Sequence, residues 1–194
     1  MISKEQYENL KTNYGKVSSW AVWADEGATP KSNVGNLNVF NQSDILNILN
    51  PDYVFVGLNV AGTGEVLDLP DWSNFHSSYR THNDYKLRYA LKGTPYWGAY
   101  MTDIIKRHSN SNGSDVAKYL KQNPDVVKSN VSSFKEEIKY LETTPVLVAM
   151  GGKVYDILNT HLGSIYKIVP IKHYSYTISK ENYRKEVLDA LSKI

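Results

Sequence analysis

The sequence predicts an α/β protein in which a central four-stranded parallel sheet lies between helices, in a three-layer α/β/α arrangement. The first observation is a set of four short apolar runs rich in β-branched and aromatic residues, at positions 53–58, 99–105, 145–150 and 165–170. Such continuous runs are typical of strands that are buried on both faces. The second observation is that segments with helical spacing alternate with these runs, as parallel strands with crossover helices require.

The chain length and the helix signals predict one domain. At 194 residues we expect a single domain over 1–194, with N-terminal helices and an aromatic flap over 1–50 and the α/β core over 51–194. Ser3 and Gln6 have the spacing of a capping box at the start of the first helix. Further helices are predicted at 44–49, 85–91, 132–141 and 152–163, and after Ser114 and Ser179.

One aromatic segment precedes the first predicted strand and another follows it. Trp20 and Trp23 are close together, and they are either a flap packed on the core or an aromatic wall of a site. The segment 62–83 is longer than the roughly 12–15 residues beyond which loops are usually functional or disordered, and it contains Trp72, Phe75 and two histidines. We interpret this loop as functional.

Polar residues follow three of the predicted strands. Asn59, Asp103 and His173 each stand at or just after a strand end, and open α/β sheets bind ligands at the carboxyl ends of their strands. Gly57 and Gly62 allow the backbone to approach a ligand closely. Each polar residue has a structural alternative: a local turn for Asn59, a helix cap or ion pair for Asp103, and a loop histidine for His173.

Composition restricts the function classes. The net charge is +2, with residues 1–97 holding 8 basic and 10 acidic side chains and residues 98–194 holding 14 and 10, so charge gives no strong nucleic-acid signal. There is no cysteine, which removes thiolate chemistry and suits a reducing compartment. The absence of a signal-peptide pattern and of a run of about 20 apolar residues predicts a cytoplasmic protein without a membrane partner. No Walker lysine motif, HExxH or GxSxG is present, and the sequence predicts neither a cofactor nor a metal.

The residues at the strand ends, taken together, resemble a known superfamily. They are Gly57-Leu58-Asn59 after the first strand, Asp103 after the second, Gly151-Gly152 after the third and His173-Tyr174-Ser175 after the fourth. Over residues 50–194 their order and spacing resemble the uracil-DNA glycosylase superfamily. Asn59 matches the residue that positions the attacking water in that family. His173 and Ser175 match the last motif, whose histidine holds the base's O2 as negative charge develops.

The chain departs from the family pattern at three positions. Val60 and Tyr174 stand where the two motifs usually have proline, and Asp103 stands where the family has the asparagine that reads uracil. An ionised carboxylate can only accept hydrogen bonds, whereas an amide can both donate and accept. Asp103 therefore suits a base edge that bears an amine better than it suits uracil.

The resemblance implies a DNA repair activity that uses base flipping. The protein would hydrolyse the N-glycosidic bond of a damaged or modified base flipped from DNA, with Asn59 orienting the water and His173 stabilising the leaving base. The segment around Phe75 resembles the place where the family puts an aromatic residue on the base. The implied substrate-binding residues are Gly57, Gly62, Phe75, Trp72, Asp103 and Ser175. Lys172, Lys180 and Arg184 are candidates for phosphate contacts.

Two other classes stay open. One is a non-catalytic protein that binds a free nucleobase or nucleotide in the same pocket, which predicts a concave aromatic site without a basic track around it. The other is an enzyme of unrelated chemistry on the same sheet, for example a metal hydrolase that uses His76, His82 and Asp103. The oligomeric state is not predicted.

Overall fold

The computed structural model describes residues 1–60, 69–106 and 113–194, and it has an α/β fold. The strands are β1 (Ser18–Trp20), β2 (Asn50–Asn59), β3 (Ala99–Ile105), β4 (Val146–Met150) and β5 (Ile168–Ile171). The helices are α1 (Lys4–Tyr14), α2 (Ile45–Ile48), α3 (Tyr85–Leu91), α4 (Gly113–Gln122), α5 (Pro124–Lys139), α6 (Gly152–Leu162) and α7 (Lys180–Leu191), with a 3-10 helix at Leu37–Asn41.

The strands form one sheet in the order β1-β3-β2-β4-β5. Strand β2 is parallel to both β3 and β4, and β4 is parallel to β5. The chain leaves β2 for β3 on one side and later returns to β4 on the other side. The strand order therefore reverses between β2 and β4, which is the point where open α/β sheets bind ligands.

The prediction of four strands is wrong, because the sheet has a fifth strand within the described residues. Strand β1 pairs with β3 in antiparallel orientation, with Ser19 opposite Met101. All three residues of β1 are buried, and Trp20 is fully buried in the core. A three-residue strand shows no periodicity in the sequence, and its pairing depends on a strand about 80 residues later, so no local pattern reveals it. The burial of Trp20 agrees with the interpretation of this segment as a flap packed on the core.

Apolar residues of the central strands alternate between two cores, one on each face of the sheet. Val54 and Val56 of β2 belong to the core that packs against α1, α5 and α6. Phe55 of β2 belongs to the core that packs against α3 and α7. Helices therefore cover both faces, as the continuous apolar runs predict.

The observed starts of α1, α5 and β5 can be compared with those predicted from the sequence. The capping box of α1 is present, since Ser3 Oγ accepts from the Gln6 N–H and Gln6 Oε1 accepts from the Ser3 N–H. Helix α5 begins at Pro124, eight residues before the predicted start, because proline at the first helical position is favourable there. Strand β5 begins at Ile168 instead of 165, because the N–H groups of residues 165 and 166 both bond to the Leu162 carbonyl and prolong the turn after α6.

Candidate functional site

A cavity of about 660 Å³ lies at the carboxyl ends of the parallel strands. Asn59 ends β2, Asp103 lies near the end of β3, Met150 ends β4 and His173 follows β5 by two residues, and all four line the cavity. Gly151, between β4 and α6, has φ 106°, a conformation that favours glycine, and its backbone also lines the cavity. The cavity therefore occupies the reversal point of the sheet.

The structure brings together most of the predicted site residues. Those that line the cavity are Asn59, Phe75, Asp103, His173 and Ser175. Asn59 is half-buried, and its side-chain amide donates to the Val60 carbonyl at 3.1 Å. The strand-end residues meet because the carboxyl ends of parallel strands lie at one edge of the sheet.

Trp72, predicted to bind the substrate, does not line the cavity. Its side chain is 1% exposed and belongs to the core. Its indole N–H donates to the Tyr7 hydroxyl at 2.9 Å, and its backbone N–H donates to the Gly15 carbonyl at 2.7 Å. Trp72 therefore anchors the loop to helix α1 instead of meeting a ligand.

Gly57 also lies outside the cavity lining, but it determines the position of Asp103. The two residues are opposite each other on β2 and β3. A Cβ atom on Gly57 would collide with Oδ1 of Asp103. Gly57 thus makes room for the carboxylate and does not itself line the cavity. Gly62 lies outside the described residues.

The loop that carries Phe75 is held in an unfavourable backbone conformation. Trp72 and Phe75 have φ values of 63° and 62°, in the left-handed region that bulky residues rarely adopt. Asn74 holds the loop: its Oδ1 accepts from the Phe75 N–H at 3.1 Å, and its amide donates to the Val17 carbonyl at 2.9 Å and to Asp103 Oδ2 at 2.8 Å. Strained positions that surrounding contacts enforce are concentrated at functional sites.

His76 and Trp23 complete the support of this loop. The His76 ring is buried, with Nε2 2.9 Å from the Val22 carbonyl and Nδ1 2.9 Å from the Asn74 carbonyl. Trp23 stacks on His76 and donates its indole N–H to the Phe75 carbonyl at 3.1 Å. Burial lowers the pKa of His76, and the two carbonyls oppose that shift. His76 is therefore engaged by protein on both nitrogens and is not available as a metal ligand.

Asp103 is a buried carboxyl group that faces the cavity. Its side chain is 2% exposed, and Oδ2 accepts the Asn74 hydrogen bond. Burial raises the pKa of Asp103 to about 6, and the charges of Glu137 and Asp84 act in the same direction, against the Asn74 hydrogen bond and Lys106. A carboxyl group in this state is mostly ionised at neutral pH and lacks full solvation.

Asp84 is a second buried carboxyl group in the cavity, and sequence reasoning missed it. It is 4% exposed, and Oδ2 accepts from the Ser77 N–H at 2.7 Å. Burial raises its pKa to about 6, against the Ser77 hydrogen bond, the charges of His82 and Lys31, and a hydrogen bond with the Tyr174 side chain. In the sequence Asp84 directly precedes helix α3 and has the pattern of a helix cap, yet it makes no side-chain cap bond.

Tyr174 connects the two carboxyl groups with the last motif. Burial raises the pKa of its hydroxyl well above the usual value, and the charges of Asp84 and Asp103 add to that effect. Its ring lies 6.3 Å from the Phe75 ring and stacks on His173 at 4.3 Å between centroids. The residue that departs from the family's proline therefore contributes a hydroxyl and an aromatic face to the cavity.

The contacts of His173 determine its tautomer. The Ser175 backbone N–H donates to Nδ1 at 3.2 Å, and Ser175 Oγ lies 2.7 Å from the same nitrogen. Because Nδ1 accepts, a neutral ring carries its proton on Nε2. Burial lowers the pKa of His173 to about 4, so the ring is neutral at physiological pH. His173 can therefore act as a neutral hydrogen-bond donor.

The basic residues predicted to contact phosphates are engaged within the chain. Lys172 Nζ pairs with Glu186 at 2.9 Å, and Lys180 Nζ lies 3.7 Å from a Glu26 oxygen. Arg184 donates to three backbone carbonyls at the end of helix α3, those of Tyr89, Ala90 and Lys92. These three cations do not form a free basic track.

The described residues hold no group of three or more His, Asp or Glu side chains that could bind a metal ion. None of the helices described is both long and apolar enough to span a membrane. No protein-family model matches the chain, and no curated protein or solved structure is significantly similar to it.

Proposed function

We propose that the protein is a divergent member of the uracil-DNA glycosylase superfamily that hydrolyses the N-glycosidic bond of a modified base flipped from DNA. The observation that carries the proposal is that Asn59, Phe75, Asp103 and His173 line one cavity at the carboxyl edge of the sheet. A volume of about 660 Å³ is in the range of small-molecule sites and accommodates a base with its sugar.

Each side chain has a role that its chemistry allows. Asn59 orients a water molecule toward the anomeric carbon of the sugar. The bond between this carbon and the base breaks, the electron pair leaves with the base, and the water oxygen bonds to the carbon while its proton passes to solvent. His173 donates from Nε2 to the departing base, and Asp103 accepts from an exocyclic amine. Phe75 supplies a ring against the base.

The experiment uses oligonucleotides that carry uracil, hypoxanthine or other deaminated and alkylated bases, with alkali-labile abasic sites as the readout. We expect Asn59→Ala to lower turnover by about 100-fold or more while base binding persists, since the amide acts on the water. His173→Ala should have an effect of similar order. Asn9→Ala and His161→Ala, at exposed positions on α1 and α6, are the matched controls. A folded protein that cleaves no oligonucleotide and binds no base would exclude the proposal.

A second candidate function is non-catalytic binding of a free nucleobase or nucleotide. The internal pairing of Lys172, Lys180 and Arg184 favours it, because a DNA-binding surface needs cations that can reach phosphates. Calorimetry with free bases and nucleosides distinguishes the two functions: saturable binding without cleavage of any oligonucleotide supports the binding protein.

A further inference from the structure

The cavity contains two buried carboxylates, Asp84 and Asp103, that are not ion-paired within the described residues. Neither Asp84 nor Asp103 forms an ion pair with any residue in the described parts of the chain. Two nearby cations bond elsewhere: Lys106 Nζ donates to the backbone carbonyl of Asp103, and Lys31 Nζ donates to the carbonyls of Arg80 and His82. Lys153 lines the cavity but forms no ion pair with either carboxylate. Buried charges are normally paired or bound to a ligand, so this arrangement needs an explanation.

One buried hydroxyl group in the cavity also lacks a hydrogen-bond partner among the described residues. Asp103 is 2% exposed, and its Oδ2 accepts the hydrogen bond from Asn74. Ser73 also lines the cavity, and its hydroxyl oxygen is buried without a partner in the same part of the structure. Unsatisfied buried polar atoms are rare in native proteins and point to an absent bound group.

Three histidines line the cavity, and none of them forms an ion pair with Asp84 or Asp103; the charge of His82 acts on Asp84 only from a longer distance. His173 is neutral, and burial lowers the pKa of His76 against the two carbonyls that its nitrogens face. Aromatic rings supply the rest of the recognition surface, since Phe75, Tyr79 and Tyr174 all line the cavity. Carboxylates next to aromatic faces attract a flat cation through both Coulomb and cation–π interactions.

We infer that the cavity selects a positively charged amino-heterocycle, an N-alkylated purine or pyrimidine base, and that Asp84 and Asp103 are the residues that determine this specificity. The inference rests on the proposed function and names its substrate class. When the glycosidic bond breaks, the electron pair moves onto the cationic base, which leaves as a neutral molecule. A neutral base such as uracil would leave as an anion beside two carboxylates, and their repulsion would oppose the reaction.

The test compares cationic N-methylated nucleosides with neutral nucleosides that lack the methyl group. Calorimetry near neutral pH would use 1-methyladenosine and 3-methylcytidine, which are cations there, against adenosine, cytidine and uridine. We expect the cations to bind at least about tenfold more tightly than their neutral partners, the effect of about one hydrogen bond to a charged group. Asp84→Asn and Asp103→Asn should each reduce this preference by about tenfold. Both variants keep an acceptor oxygen for Ser77 or Asn74.

Asp125→Asn is the matched control, because it removes one negative charge from an exposed position on α5. Equal binding of cationic and neutral nucleosides, or a preference that both cavity variants retain, would overturn the inference. Excision of uracil from an oligonucleotide without excision of alkylated bases would also overturn it while supporting the glycosylase function. The reverse result, cation-selective binding without excision of any base, would support the inference and exclude catalysis.

Discussion

The two faces of strand β3 differ in how a buried carboxylate is surrounded: one carboxylate is ion-paired and the other is not. Thr102 faces α5, where the fully buried Glu137 accepts from the Thr102 and Tyr100 hydroxyls and pairs with Lys106 at 2.6 Å. Asp103 faces the cavity on the other side of the sheet, where no described cation pairs with its carboxylate. The Glu137 charge is neutralised inside the protein and serves the fold. The Asp103 charge has no such partner among the described residues, so the difference separates a structural network from a candidate binding site.

The largest expected effect comes from removing Glu137, the carboxylate that is ion-paired. Glu137→Ala removes the partner of Lys106 and the acceptor of two buried hydroxyls, so we expect the free energy of unfolding to fall by about 3–5 kcal/mol. Urea denaturation of both proteins measures it. Glu136→Ala is the control, because the adjacent Glu136 pairs with Lys139 on the exposed surface and should change stability by at most about 0.5 kcal/mol. Losses of similar size in the two variants would contradict the structural role of Glu137.

The second prediction concerns Asp103, the carboxylate without an ion pair, and here the substitution should raise the free energy of unfolding. The pKa of Asp103 is raised from 3.8 to about 6 in the folded protein, so its contribution to stability is fully present below about pH 4 and is lost as pH rises through 6. Asp103→Asn should therefore match the wild type near pH 4 and exceed its unfolding free energy at pH 8, by at most about 3 kcal/mol for a shift of about two pKa units.

Urea denaturation at a series of pH values gives this difference directly. The groups whose charges act on Asp103 are Asp84, Lys106 and Glu137, and the variant leaves all three in place. Asp125→Asn, at the exposed position, should show no such pH dependence. An Asp103→Asn protein that is less stable than the wild type at pH 8 would show that the carboxylate stabilises the fold and that the comparison with Glu137 is wrong.

The sequence predicts those features that depend on local patterns or on strand direction. The four parallel strands follow from continuous apolar runs, and the meeting of Asn59, Asp103 and His173 follows from the rule that parallel strands present their carboxyl ends at one edge. It does not predict β1, because that strand is only three residues long and pairs with a distant strand.

Contacts between distant residues determine what the sequence leaves open. Trp72 and Phe75 are three residues apart in one loop, yet only Phe75 reaches the cavity, because Tyr7 and Gly15 of the N-terminal region hold Trp72 in the core. Asp84 has the sequence pattern of a helix cap, and only the folded loop shows that it bonds to Ser77 and faces the cavity. Local propensity does not show which aromatic residue of the loop reaches the cavity, or whether Asp84 caps a helix or faces the cavity.

The smallest of the three effects concerns the space that Asp103 occupies. A Cβ on Gly57 would collide with Oδ1 of Asp103, so Gly57→Ala should displace the carboxylate and lower the unfolding free energy by about 1–2 kcal/mol. Gly152→Ala is the matched control, because a Cβ there meets no atom within 4 Å and should change stability much less. In an Asp103→Ala background the cost of Gly57→Ala should fall below about 0.5 kcal/mol, since the colliding atom is gone. Denaturation of the two single variants and the double variant measures this coupling. A coupling near zero would mean that the carboxylate adapts freely to the added methyl group, and Asp103 would then not be held in the fixed position that selective recognition of a base requires.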